Sequence, residues 1–186
     1  MEPAFPLFRL PKNVIIEVIK KFPLRQFKKV LKSFNAPSEL YLYRNPFEGA
    51  CQIQQIFIQN FEMISFYDVY SLDDMLSINI EIVNFTHPIS QKQFNQILKH
   101  WIRGSNPRVE DMSLSINKTD FVREKVYLNG IKCIEMSEET KRKIRRKHYQ
   151  PLYVDMIQIR RKDGTSAVIA TEYSENILGL HFIVLY

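Results

Sequence analysis

The sequence predicts a mixed chain of the α+β or α/β class, with a short helical module in front of a strand-and-helix domain that closes in an antiparallel hairpin. Three observations predict it. Apolar residues recur at helical spacing through the first two segments, then switch to alternation in "QIQQIFIQN", Gln52 to Asn60. A capped amphipathic helix stands between two alternating runs. Asp163-Gly164 divides two further β-like runs.

The chain opens with "FPLFRLPKNVIIEVIKKF", Phe5 to Phe22, where Leu10-Pro11 forms a helix start, because proline loses no needed donor at the first helical position. Val14, Ile15, Ile16, Val18, Ile19 and Phe22 then sweep an apolar arc of roughly 200° at about 100° per residue. One small core needs a stripe only a little over ~100° wide. Either the domain wraps this helix on two sides or a partner covers the surplus. Pro23 ends the run, and Leu24, Phe27, Leu31 and Phe34 line one side of a second helix that Asn35-Ala-Pro37 stops.

Beyond residue 50 the expected strands are Gln52 to Asn60, Met75 to Asn84 and Val109 to Asn117. In the second, Leu76, Ile78, Ile80 and Ile82 alternate with polar neighbours; in the third, Met112, Leu114 and Ile116 do so. "DDMLSIN" and "EDMSLSIN" form a faint repeat, each read as a strand ending at an asparagine. The helix between these strands is the best defined. Ser90 and Gln93 form a capping box, Ile89 and Phe94 occupy staple positions, and Gly104 sits where a C-terminal stop belongs. Phe94, Ile97, Leu98, Trp101 and Ile102 make its apolar face, which assigns Trp101 to the core. A strand, helix and strand of this length favour a crossover joining parallel strands.

Ser137 caps a helix with Glu138 and Glu139 in its first turn and Lys/Arg in its last, as the helix dipole prefers. Asp163-Gly164 is a type I′ hairpin signal. "GLHFIVLY", Gly179 to Tyr186, is apolar on both faces and belongs inside the sheet rather than at its edge.

Composition narrows the function. With 186 residues, 45% hydrophobic and 25% charged, the chain is ordinary globular material with enough length for a sizeable core. No apolar run approaches the ~18 residues of a membrane span, and the N-terminus has no signal-peptide core, so an intracellular protein, cytoplasmic or nuclear, is expected. The sequons Asn84-Phe-Thr86 and Asn117-Lys-Thr119 then read as chance. Lys and Arg number 26; six lie within Lys141 to His148, and the other 20 equal the 20 Asp and Glu. The net charge of +6 is therefore local: Lys141, Arg142, Lys143, Arg145, Arg146 and Lys147 form either a solvated helix end or an anion-binding or nuclear-import patch.

No catalytic constellation, cofactor loop or metal-ligand spacing stands out. The five glycines form no phosphate-cradling loop, and His87, His100, His148 and His181 are scattered. Cys51 and Cys133 read as buried small hydrophobes rather than nucleophiles.

The Leu-Pro corner and its helix resemble the F-box, with Leu7, Leu10, Pro11, Val14, Ile15, Val18 and Ile19 at the matching positions. "QFNQILKHWIRGSNPRVEDMSLSIN", "YLNGIKCIEM" and the final hairpin resemble the F-box-associated type 2 domain of a mainly nematode family. The resemblance implies a module at 1–45 and a domain at 46–186 of leucine-rich-repeat-like, strand-helix character. It implies a non-catalytic substrate receptor of a cullin-based ubiquitin ligase, docking through those seven residues on a Skp-family adaptor and holding an unknown target protein. An F-box usually continues into a further helix, and "SFNAPSELYLYRN" keeps little of it. An interaction protein with a decayed F-box is the first alternative. A basic nucleic-acid-associated protein using Lys141 to His148 is the second. Neither a membrane nor a cofactor is expected.

Overall fold

Strand order is the feature that places everything else. The computed structural model describes residues 39–42, 61–68, 71–117, 125–148, 153–173 and 177–186. In chain order these form β1 (Glu39–Leu42), β2 (Met63–Phe66), α1 (Leu72–Ser77), β3 (Ile82–Phe85), α2 (Gln91–Ile102) and β4 (Asp111–Asn117). A 3-10 turn (Val126–Leu128), β5 (Ile134–Glu135), α3 (Glu138–Lys147), β6 (Tyr153–Arg160), β7 (Ser166–Tyr173) and β8 (Ile177–Leu185) follow. One eight-stranded sheet results, ordered β1-β2-β3-β4-β8-β7-β6-β5. β1 to β4 are mutually parallel; β4 to β8 and every pairing beyond it are antiparallel. The class is mixed α/β. The parallel half keeps the strand-helix order expected of the domain, and the hairpin half completes the same sheet. The first two helices, the seven F-box-like positions, the strand expected over Gln52 to Asn60 and Cys51 lie outside the described residues.

α2 forms as its sequence requires. The Ser90 side chain accepts from Gln93 N and Gln93 Oε1 accepts from Ser90 N at 2.9 Å, closing the capping box. Ile89 and Phe94 are both buried at the staple positions. At the other end Gly104, at φ +100, donates to Trp101 O at 2.9 Å, and Ser105 N reaches His100 O at 3.3 Å. That pair of bonds is a Schellman stop, which needs a residue free to adopt a left-handed backbone. Phe94, Ile97, Leu98 and Trp101 are buried on one face of the sheet against Met112, Leu114, Ile116, Leu180 and Phe182. Asn95, also buried, donates from Nδ2 to Tyr127 O and Asn129 O, each at 2.9 Å, tying α2 to the 3-10 turn. α3 covers the opposite face, where Ile144 joins Met156, Val168, Ala170 and Ile183.

Three expectations are corrected. Met75 to Asn84 is not one strand: Leu72–Ser77 is helical and only Ile82–Phe85 is extended within the sheet. Ser71 accepts from Asp74 N, and Asp73 and Asp74 favour the helix's positive end, so the capped start outweighs the alternation. The faint repeat falls with it, because "DDMLSIN" begins in that helix while "DMSLSIN" is β4. The hairpin exists, but its turn is not type I′. Among the described non-glycine residues only Asn106 has positive φ; Asp163 does not, whereas Gly164 lies at +94°. Gly164 N donates to Arg161 O at 3.1 Å and Arg161 N to Thr165 O at 2.8 Å, the pattern of a three-residue loop with a glycine bulge. Asp163 stabilises it by accepting from Thr165 N and from Arg161 Nε, and these bonds hold its carboxyl well below the usual range. Among the described residues no helix is long and apolar enough to cross a membrane.

Candidate interaction surface

One row of the sheet crosses from polar to apolar. By register, Tyr41, Ser65, Asn84, Ser113 and His181 stand side by side on β1, β2, β3, β4 and β8. The row continues through Ala170 and Met156, where α3 covers it. The polar part arises because β4 alternates serines with Met112, Leu114 and Ile116, so burying the apolar set turns every serine to the other face.

Four of its members are bonded in pairs. Asn84 Nδ2 donates to Ser65 Oγ at 3.1 Å, so the amide of the first sequon is engaged within the sheet. Ser113 Oγ lies 3.1 Å from His181 Nδ1, and Glu172 Oε2 lies 3.6 Å from His181 Nε2. Burial lowers the pKa of His181, opposed by the nearby carboxylates of Asp111 and Glu172 and reinforced by His148 at the end of α3. Burial raises that of Asp111, offset in part by His181. In the neutral tautomer with hydrogen on Nε2, Nδ1 accepts from the Ser113 hydroxyl. This serine, imidazole and carboxylate sequence was hidden from sequence reasoning, because its members come from three strands that only the register aligns.

The arrangement suits recognition better than acyl transfer. Ser113 sits mid-strand between β3 and β8, where ladder pairing takes up the backbone amides that would have to converge on an oxyanion. Ser65 is buried, but Asn84, Ser113 and His181 are half-buried, and their amide, hydroxyl and imidazole groups can instead meet the polar groups of another chain. Among the described residues no group of His, Cys, Asp and Glu is placed to hold a metal ion.

The structure also tests the other candidates. Lys141, Arg142, Lys143, Arg145, Arg146 and Lys147 do come together on α3, with the N-cap of Ser137 in place. Trp101 is buried, as expected. Cys133 is not; it is exposed, because it follows the 3-10 turn in a short connection rather than facing the core. His148 comes close enough to His181 to reinforce the lowering of its pKa.

His181 has a measurable consequence. Its pKa lies below the ordinary 6.5, so the folded state binds fewer protons there than the unfolded chain. Stability is therefore full above about pH 6.5 and is lost as pH falls below it, through the folded-state pKa. Asp111 acts oppositely at lower pH, since the folded state protonates it first. His181→Gln should flatten the loss between about pH 7 and pH 5, measured by denaturant unfolding at each pH. The same pH dependence in variant and wild type would contradict this placement.

Residues 52–114 match the family model described as F-box associated, a stretch that includes β2, α1, β3, α2 and the first residues of β4. No curated protein and no solved structure matches the chain. The matched stretch holds the capped helix and the first serine of the strand on which the polar row depends, and it is this part of the chain that is similar to F-box-associated domains.

Proposed function

We propose that the chain is the substrate-receptor subunit of a cullin-based ubiquitin ligase, a non-catalytic protein acting in the cytoplasm or nucleus. The part of the expected 1–45 module that precedes β1 docks on a Skp-family adaptor, and the sheet domain, to which β1 (Glu39–Leu42) belongs, holds a target protein. The observation that carries this reading is the F-box-associated match at 52–114. The Leu10-Pro11 corner and the surplus apolar arc behind it support the adaptor half. The polar row supports the target half, since a protein partner is what a row of hydroxyl and amide groups can recognise.

Co-expression with a Skp-family adaptor should raise the yield and give a 1:1 complex. Ile15→Asp should weaken that complex by at least about 2 kcal/mol, roughly thirtyfold, by carrying an unpaired carboxylate into a desolvated interface. The melting of the sheet domain should not change. Folded wild-type protein that shows no adaptor binding at micromolar concentration would leave the decayed-F-box reading standing instead.

A further inference from the structure

We propose that the outward face of α3 is a docking surface for an acidic segment of the partner protein. Ile144 fixes the helix's orientation, being buried against β6, β7 and β8. At 100° per residue, Arg142 and Arg146 then point away from the sheet, one turn apart, and both are exposed. Two of the six cations are already neutralised: Lys141 pairs with Glu138 and Lys143 with Glu139, each at 2.8 Å. Among the described residues Arg142, Arg146 and Lys147 have no ion-pair partner.

The helix dipole accounts for one or two cations near this end, not for so many. Arg142 with Arg146, and Lys143 with Lys147, are like charges at i, i+4 spacing, which destabilise a helix. An anion laid across them would remove that repulsion. Guanidinium groups bind carboxylates in a two-pronged geometry that ammonium groups cannot reproduce. The patch from Arg142 to Lys147 is only about 8 Å long along the axis, enough for two or three carboxylates. Glu138 and Glu139 stand at the other end of the same helix and would oppose a polyanion continuing along it. The rest of the chain has no basic excess to extend the track. A short acidic peptide segment fits these limits; a nucleic-acid duplex, with a charge every ~1.7 Å, does not.

That the partner is the ligase target rests on the receptor reading; the surface itself does not. The test is fluorescence anisotropy of a labelled short polyglutamate peptide with the full chain, repeated with a DNA duplex. Saturable peptide binding that falls about tenfold or more in the double variant Arg142→Glu, Arg146→Glu, with unchanged melting, supports the surface. Partial retention in Arg142→Lys, Arg146→Lys supports it too, since charge survives and the fork does not. Equal binding by wild type and the double glutamate variant overturns it, as does tighter binding of the duplex than of the peptide. Adaptor binding, read separately, should be unaffected by either variant; its absence with peptide binding intact would reject the receptor reading alone.

Discussion

Deleting residues 179–186 should give insoluble or protease-sensitive protein. β8 is the strand that joins the two halves of the sheet, with β4 on one side and β7 on the other. The deletion removes Leu180, Phe182, Ile183 and Val184, all buried. At about 1.5–3 kcal/mol each, their loss is of the order of a whole domain's stability, about 5–15 kcal/mol. It also opens two unpaired strand edges, which invite pairing between molecules. Solubility on expression and limited proteolysis measure the effect. A soluble truncated protein with a cooperative melt would contradict the central position of β8.

Trp101→Ala should cost about 3–5 kcal/mol in denaturant unfolding. The indole is 3% exposed and meets the Phe182 ring edge-on, with centroids 4.9 Å apart. The Arg161 guanidinium lies 5.2 Å from its centroid, so the residue also ties the β6–β7 hairpin to α2. Its Nε1 is buried without a hydrogen-bond partner. Trp101→Phe should therefore cost much less than alanine, because the atom lost stabilises nothing through a hydrogen bond. A Trp101→Ala variant that unfolds like wild type but loses a ligand would make this residue a binding group instead.

The elements legible in the sequence were those whose signals are local and agree with one another. α2 carries its cap, staple, apolar stripe and glycine stop within Ile89 to Gly104. β4 alternates without a competing cap, and α3 shows its dipole-matched charges. Met75 to Asn84 failed because two local signals conflict there. Leu76, Ile78, Ile80 and Ile82 alternate, yet Ser71, Asp73 and Asp74 begin a helix just before them, and the alternation decides only the final residues. Asp163-Gly164 marked the hairpin but not its turn, since Asp163 accepts from Thr165 N without needing positive φ. The site was least legible. Ser113, Glu172 and His181 belong to strands distant in sequence, and nothing local to any of them encodes the register that unites them. The α3 patch, by contrast, was visible as a charge run, because a helix keeps sequence neighbours together.

The position of β8 also sets a time order for the protein. Its contacts with β4 run from Asp111↔Ile183 to Asn117↔Ile177, so the loop closed is roughly sixty to seventy residues long, and such closure slows folding. The parallel strands can assemble from nearer contacts, but they wait for a distant one before β4 is covered. During that interval β4 presents an open edge whose residues alternate apolar side chains with serines. Crowding by other copies of the chain at this stage would compete with the arrival of β8, making the yield of native protein fall as concentration rises. The strand that unites the sheet is thus expected to set the folding rate, which a refolding yield measured against protein concentration would check.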